Sequence, residues 1–306
     1  MSSADAGGAA RSRRALWRQR DFLLLWSTQV LSTVGTRVSS LAYPLLILAM
    51  TGSPAQAGVV GFAQTMPFLL IYLPAGALMD RLERKRVMIG CEIGRALALG
   101  SIAFAIAIGH VSVVQVALAA FVEGSLFVLF DLGERAALAH LVPVEQRPAA
   151  LAQNQAKTQG ADLAGQPLGG LLFGAARLLP FLVDAVSYLV SLAALLAIRT
   201  PFQASGTVAK TRLRADIREG LAFVWRSAFL RAGAAAVGGM NFVFNALSLV
   251  LVVRAKDLGA SPALIGFMFG LYGAGGLLGS FAAPWSPAAP PPTPSGHAPA
   301  LSRSPA

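Results

Sequence analysis

From Phe22 onward, long apolar runs alternate with short polar breaks, and each run outlasts the needs of a water-soluble core. A helix rising ~1.5 Å per residue needs about 20 apolar residues to cross a ~30 Å hydrocarbon core. Eight runs meet that requirement, over residues 22–50, 55–78, 87–109, 111–139, 149–176, 178–198, 231–253 and 261–283. The pattern therefore predicts an all-α, polytopic membrane protein. The longest polar interruption is residues 201–231, with Lys210, Arg212, Arg214, Arg218 and Arg226. Within it Leu213, Ile217, Leu221 and Val224 recur at helical spacing, which predicts an amphipathic helix on the inner membrane face.

The pattern also repeats. Met50-Thr-Gly-Ser-Pro-Ala-Gln-Ala-Gly58 aligns with Leu258-Gly-Ala-Ser-Pro-Ala-Leu-Ile-Gly266 at an offset of 208 (258 against 50). The seventh run then matches the first and the eighth matches the second, as parallel six-helix repeats require. At the same offset Gly76 falls on Pro284, where the chain turns into a Pro/Ala/Ser-rich tail ending at Ala306. That composition predicts disorder, and a complete second repeat would need about four more spans. The expected organisation is a basic tail (1–20), a six-helix bundle (21–199) and a loop with the amphipathic helix (200–230). The first two helices of a second bundle (231–283) and the tail (284–306) follow.

Composition closes alternatives. With 55% hydrophobic and 13% charged residues and a mean hydropathy of +0.63, a chain of 306 residues is no ordinary soluble domain. A net charge of +11 would suit nucleic acid, but the basic residues flank apolar runs and form no aromatic-laced patch. They follow the positive-inside rule instead, with the N-terminus, residues 80–86, 135–147 and 199–231 in the cytoplasm of a cell-membrane protein. Thr51–Pro54 and Arg254–Ala260 then lie outside, where Arg254 and Lys256 run against the rule and the repeat outweighs them. No cleavable signal follows the Arg-rich start, and Cys91 is the only cysteine. Neither metal-ligand spacing, a nucleotide loop nor a G-x-S-x-G elbow is present, so no enzyme activity and no cofactor are expected.

The densest charge lies between the second and third spans, Gly76-Ala-Leu-Met-Asp80-Arg81-Leu-Glu-Arg84-Lys85-Arg86. Read alone, it is a basic loop that fixes topology. Its spacing resembles the signature G-x-L-x-D-R-x-G-R-[KR]-[KR] of the major facilitator superfamily, with Glu83 where that family has its second glycine. The resemblance implies a six-helix N-terminal bundle and an inner gate built from Gly76, Asp80, Arg81, Arg84, Lys85 and Arg86. Asp131-Leu-Gly-Glu-Arg135-Ala is similar to F-D-x-x-R-x-A of the macrolide-efflux and enterobactin-exporter branch, which implies that Asp131 and Arg135 join that gate, Arg135 approaching Asp80. Gly165-Gln-Pro167-Leu-Gly169-Gly170 resembles the exporter motif G-P-x-x-G-G with the proline one place late; small residues at this spacing equally permit close helix packing. Residues 181–188 and 216–226 also read like that branch. By resemblance the chain looks like such a transporter cut after its eighth span.

Charges inside the spans point to mechanism, because each costs at least ~2.5 kcal/mol at the bilayer centre unless paired or watered. Arg37 and Glu123 lie roughly 20 Å from the outer ends of their spans at ~1.5 Å per residue, on helices that line the central cavity in the resembled family. Equal depth and opposite sign lead us to expect an Arg37–Glu123 pair, with Glu123 taking up a proton; a structural role at a helix interface is the alternative. Glu92 and Arg95, at i and i+3, are placed to pair with each other. The facing of Asp162 and Asp184 is not fixed by the sequence. Without a nucleotide site the expected energy source is a proton gradient. The expected partners are protons, a small hydrophobic drug, metabolite or siderophore, and the bilayer itself. An inactive fragment or a membrane scaffold is the competing reading.

Overall fold

The computed structural model describes residues 20–79, 81–141, 147–200, 202 and 213–282. The expected N-terminal and C-terminal tails, Asp80 and most of the loop after Thr200 lie outside these residues. Nine helices follow one another among the described residues: α1 Arg20–Thr51, α2 Pro54–Met79, α3 Arg84–Ala107, α4 Val113–Leu141, α5 Arg147–Ala175, α6 Leu179–Ala197, α7 Leu213–Arg226, α8 Ala228–Asp257 and α9 Pro262–Ala282. Each predicted span has become a helix within about one turn of its expected ends, and α7 stands where the amphipathic helix was expected. No strand occurs among the described residues.

Among the described residues, six helices or helix stretches are long and apolar enough to cross a membrane: 23–51, 54–72, 84–107, 113–137, 179–197 and 228–257. Helix α5 falls short by composition, since it carries Gln153, Asn154, Gln155, Lys157, Gln159 and Asp162. It is held by packing instead, wedged between α1 and α9. Around it, α1 also packs on α6, α3 packs on α4 and α6, and α2 packs on α4. Helix α8 touches its neighbours lightly and leaves Val237, Met240, Phe242 and Val243 exposed.

The two repeat segments start their helices alike. Pro54 and Pro262 each open a helix at its first turn, where a missing N–H costs nothing. The preceding serine caps each one: Ser53 Oγ accepts from the Gln56 N–H and Ser261 Oγ from the Leu264 N–H, both at 3.3 Å. Gly52 and Gly259, with φ of 66° and 80°, turn the chain into these caps in the left-handed conformation that glycine adopts without strain. Lys256, one of the two cations expected outside, donates to the Leu48 carbonyl at 2.6 Å. That carbonyl, in the last turn of α1, also accepts from the Gly52 N–H at 3.1 Å, so Lys256 is its second donor and ties α8 to α1.

Buried apolar residues form two layers. Leu41, Leu46, Val60, Leu99, Val116, Phe181 and their neighbours fill the half of the bundle towards Thr51. Leu25, Met88, Cys91, Phe130, Leu195 and Phe202 fill the half towards the basic loop. What lies between these layers positions the site.

At the start of α1, just before its apolar stretch, the Asp21 carboxylate accepts from the Thr200 backbone N–H at 3.1 Å and from the Thr200 hydroxyl. The hydroxyl bond above all holds the Asp21 carboxyl below its usual range, aided by the Thr200 and Arg199 backbone and by Arg20. A depressed folded pKa stabilises the fold above the unfolded value of about 4 and loses that contribution as pH falls through the folded one. Acid is therefore expected to release the Thr200 amide, read by hydrogen exchange as faster labelling below about pH 4. In Asp21→Asn the same amide should exchange at a rate with no such acid step.

Candidate functional site

Four helices send polar side chains into the gap between the two apolar layers, two of them as stripes. On α1 the stripe is Gln29, Ser32, Thr36 and Ser39; on α6 it is Asp184, Ser187, Tyr188 and Ser191. Helix α3 contributes Glu92 and Arg95, and α4 contributes Glu123. Glu92 and Asp184 are fully buried, and Arg95 and Glu123 are 2% exposed, so this layer sits in the protein interior.

Arg95 is its hub. One guanidinium nitrogen, Nη2, lies 2.7 Å from the Tyr188 hydroxyl, 3.1 Å from Thr36 Oγ1 and 3.3 Å from Glu123 Oε1. The other, Nη1, is 3.8 Å from Glu92 Oε2. The cation also faces the rings of Tyr188, Phe127 and Phe130, at 4.0, 5.3 and 5.9 Å from their centroids. Glu92 accepts from Ser191 Oγ at 2.5 Å, and Gln29 Nε2 donates to that same Ser191 at 2.9 Å. Asp184 accepts from Ser39 at 2.5 Å, Tyr188 at 3.1 Å and Ser187 at 3.2 Å. Gln64 of α2 reaches Glu123 at 3.4 Å.

The expected Arg37–Glu123 pair is not formed. Arg37 instead pairs with Asp162 of α5 at 2.6 Å, and Glu123 pairs with Arg95. The two residues share a depth, but each step along a helix turns the side chain by about 100°, and depth says nothing of direction. Thr36 points to Tyr188, so Arg37, one step on, points away towards α5. Gly165 lets it do so: a Cβ there would stand 2.5 Å from Arg37 Cβ. Arg37 and Asp162 keep about a third of their side-chain surface exposed, unlike the interior cluster. A buried pair that sequence reasoning missed, Lys157 Nζ to Glu134 Oε1 at 2.6 Å, joins α5 to α4.

The exporter-like segment of α5 lies in two close crossings. A Cβ at Gly169 would stand 2.6 Å from the Val38 carbonyl oxygen of α1. On the opposite side, a Cβ at Gly170 would overlap the Pro262 carbonyl of α9 and stand 3.0 Å from Gly266 Cα. Pro167 packs into the space left by Gly270. Gly76 is different: it lies inside α2, with no described neighbour within 4 Å of a Cβ.

The basic loop grips the end of α6. Lys85 Nζ donates to the carbonyl of Ile198, the C-cap of α6, at 2.6 Å, placing a cation at that helix end, and Arg84 Nη1 donates to the Phe202 carbonyl beyond it at 3.4 Å. Glu83 occupies the N-cap of α3 with φ −67° and ψ 105°, a backbone that needs no glycine, and its carboxylate meets Arg86 at 2.5 Å. Arg135 pairs with Asp131 of its own helix at 2.8 Å. Its expected partner Asp80 lies outside the described residues. Among the described residues no group of three or more His, Cys, Asp or Glu side chains is placed to hold a metal.

Residues 12–286 match the family described as transmembrane secretion effector. The multidrug efflux pump Tap of Mycolicibacterium fortuitum is 26% identical over 269 residues, covering 84% of this chain and 65% of that protein. The Tap pump of Mycobacterium tuberculosis is 27% identical, covering 85% and 64%. An uncharacterized MFS-type transporter of Bacillus subtilis, YfiS, is also 27% identical, covering 85% and 63%. The chain thus spans just under two thirds of the length of these relatives.

Proposed function

We propose, on the premise that the chain belongs to the transmembrane secretion effector family of major facilitator transporters, that it takes part in proton-coupled efflux of a small hydrophobic compound by alternating access. A drug, a metabolite or a siderophore fits that description. The observation that carries this reading is the cluster of Glu92, Arg95, Glu123 and Asp184 between two apolar layers, charge that an inert bundle has no reason to bury. Similarity to two pumps named for multidrug efflux supports the direction. In this reading Glu123 takes up the proton, and the partly exposed Arg37–Asp162 pair faces the substrate path. The basic loop with Asp80, Asp131 and Arg135 closes the inner gate, and the N-terminus lies in the cytoplasm of a cell-membrane protein.

The test uses vesicles that carry the chain and a fluorescent hydrophobic dye. An imposed proton gradient is expected to drive dye movement, and a protonophore to abolish it. Glu123→Gln should insert normally and lose the gradient-driven part, whereas Arg37→Ala should weaken dye binding and keep the response to pH. Unchanged gradient-driven movement in Glu123→Gln would place proton coupling elsewhere. The competing reading is a membrane scaffold without transport of its own. No dye movement under any gradient would favour it.

A further inference from the structure

The hydroxyl of Tyr188 has one hydrogen and four polar neighbours. Arg95 Nη2 donates to it at 2.7 Å, and Thr36 Oγ1 lies at 3.0 Å. The other two are carboxylate oxygens, Asp184 Oδ2 at 3.1 Å and Glu123 Oε1 at 3.3 Å. Arg95 occupies one acceptor position of the hydroxyl oxygen and leaves another open, while the single hydrogen of the hydroxyl serves one carboxylate at a time. The carboxylate left unserved is buried without that donor.

Charge makes the competition sharper. Three carboxyls, Glu92, Glu123 and Asp184, lie around a single guanidinium, all 2% exposed or less. Arg95 neutralises one negative charge, and a low-dielectric interior penalises every further one. The groups facing this site are Glu92, Cys91 and Arg95 from α3, Glu123 from α4, and Tyr43, Thr36 and Ser39 from α1. Gln64 faces it from α2, and Asp184, Ser187 and Tyr188 from α6. Among the described residues no second cation joins them, because Lys157 is committed to Glu134 and Arg37 to Asp162.

We propose that Tyr188 relays a proton between two buried carboxyls, Asp184 and Glu123, making Asp184 a second proton-holding site. With the proton on Asp184, its O–H donates to the Tyr188 oxygen, and the Tyr188 O–H donates to ionised Glu123 beside Arg95. Transfer breaks the Asp184 O–H bond and forms one to Tyr188 as the Tyr188 O–H bond breaks and one forms to Glu123. The products are ionised Asp184, protonated Glu123 and an intact phenol whose hydrogen now points to Asp184. Ser39, 2.5 Å from Asp184 Oδ2, supports the ionised form. The relay deepens the proton-coupled reading by giving Glu123 a partner within the bundle.

Infrared difference spectroscopy of the full chain in lipid nanodiscs tests it through the carboxylic-acid C=O bands, following a pH jump. The wild type is expected to show two bands that exchange intensity; Asp184→Asn should lose one and Glu123→Gln the other. Tyr188→Phe keeps both carboxyls and should slow the exchange by about 10²-fold or more, the scale of a positioned proton-transfer group. Ser39→Ala leaves Tyr188 in place and should strengthen the Asp184 band at a given pH, which keeps the test open if Tyr188→Phe folds poorly. Unchanged bands in Asp184→Asn, or unchanged exchange in folded Tyr188→Phe, would overturn the relay. The bands are read without substrate, so they support or overturn it whatever the dye experiment shows.

Discussion

Replacing Arg95 by methionine is expected to lower stability by about 3–5 kcal/mol, the cost of stripping one partner from a buried charge cluster. Methionine matches much of the volume of arginine, so the loss is electrostatic rather than a cavity. The chain then buries Glu92, Glu123 and Asp184 with no cation among them. Denaturant unfolding in mild detergent, or the yield of monodisperse protein, would measure it. The control is the quadruple variant that adds Glu92→Gln, Glu123→Gln and Asp184→Asn, which removes the uncompensated charge and should recover much of the loss. A single Arg95→Met as stable as wild type would mean that the carboxyls are held neutral without the arginine.

Gly170→Ala should produce the second large effect, at the crossing of α5 and α9. Its new Cβ would meet the Pro262 carbonyl and Gly266 Cα, both backbone, so no side chain can swing aside. Overpacking of this kind costs about 1–3 kcal/mol and shifts the backbone. Spin labels at the exposed positions Leu168 and Phe267, in a Cys91→Ala background, should report a wider separation of the two helices. Gly160 and Gly174 sit in the same helix with nothing within 4 Å of a Cβ. Alanine there should be neutral or stabilising by up to ~1 kcal/mol. An unchanged label distance in Gly170→Ala would show that the crossing accommodates a methyl group and does not depend on that glycine.

The helices were legible because apolar length alone announces a membrane span, and the caps at Ser53 and Ser261 were visible as a repeat. The site was half legible. Arg37 and Glu123 were found by depth, yet partners are chosen by angle, and depth carries no angle. The missing signal was nevertheless present: residues 184, 187, 188 and 191 fall at i, i+3, i+4 and i+7, one polar face on an otherwise apolar helix. Positions 29, 32, 36 and 39 make a matching face on α1. Two such stripes on separate spans have to meet each other or pay for burial singly. The Lys157–Glu134 pair was hidden for another reason: α5 reads as weakly apolar throughout, so no single charge on it stood out.

The layering of the bundle also has an electrical consequence. Voltage across a membrane falls over material of low polarisability, and here such material lies both above and below the polar stratum around Arg95. In the proposed relay, a proton reaching this stratum from either face has already moved through part of the field. A full crossing is worth ~2.3 kcal/mol per 100 mV, so a stop near the middle is worth about 1 kcal/mol. Under that proposal, proton occupancy of the stratum should shift several-fold when a cell hyperpolarises by about 100 mV at constant pH, which would make the cluster sensitive to voltage without a dedicated sensor helix.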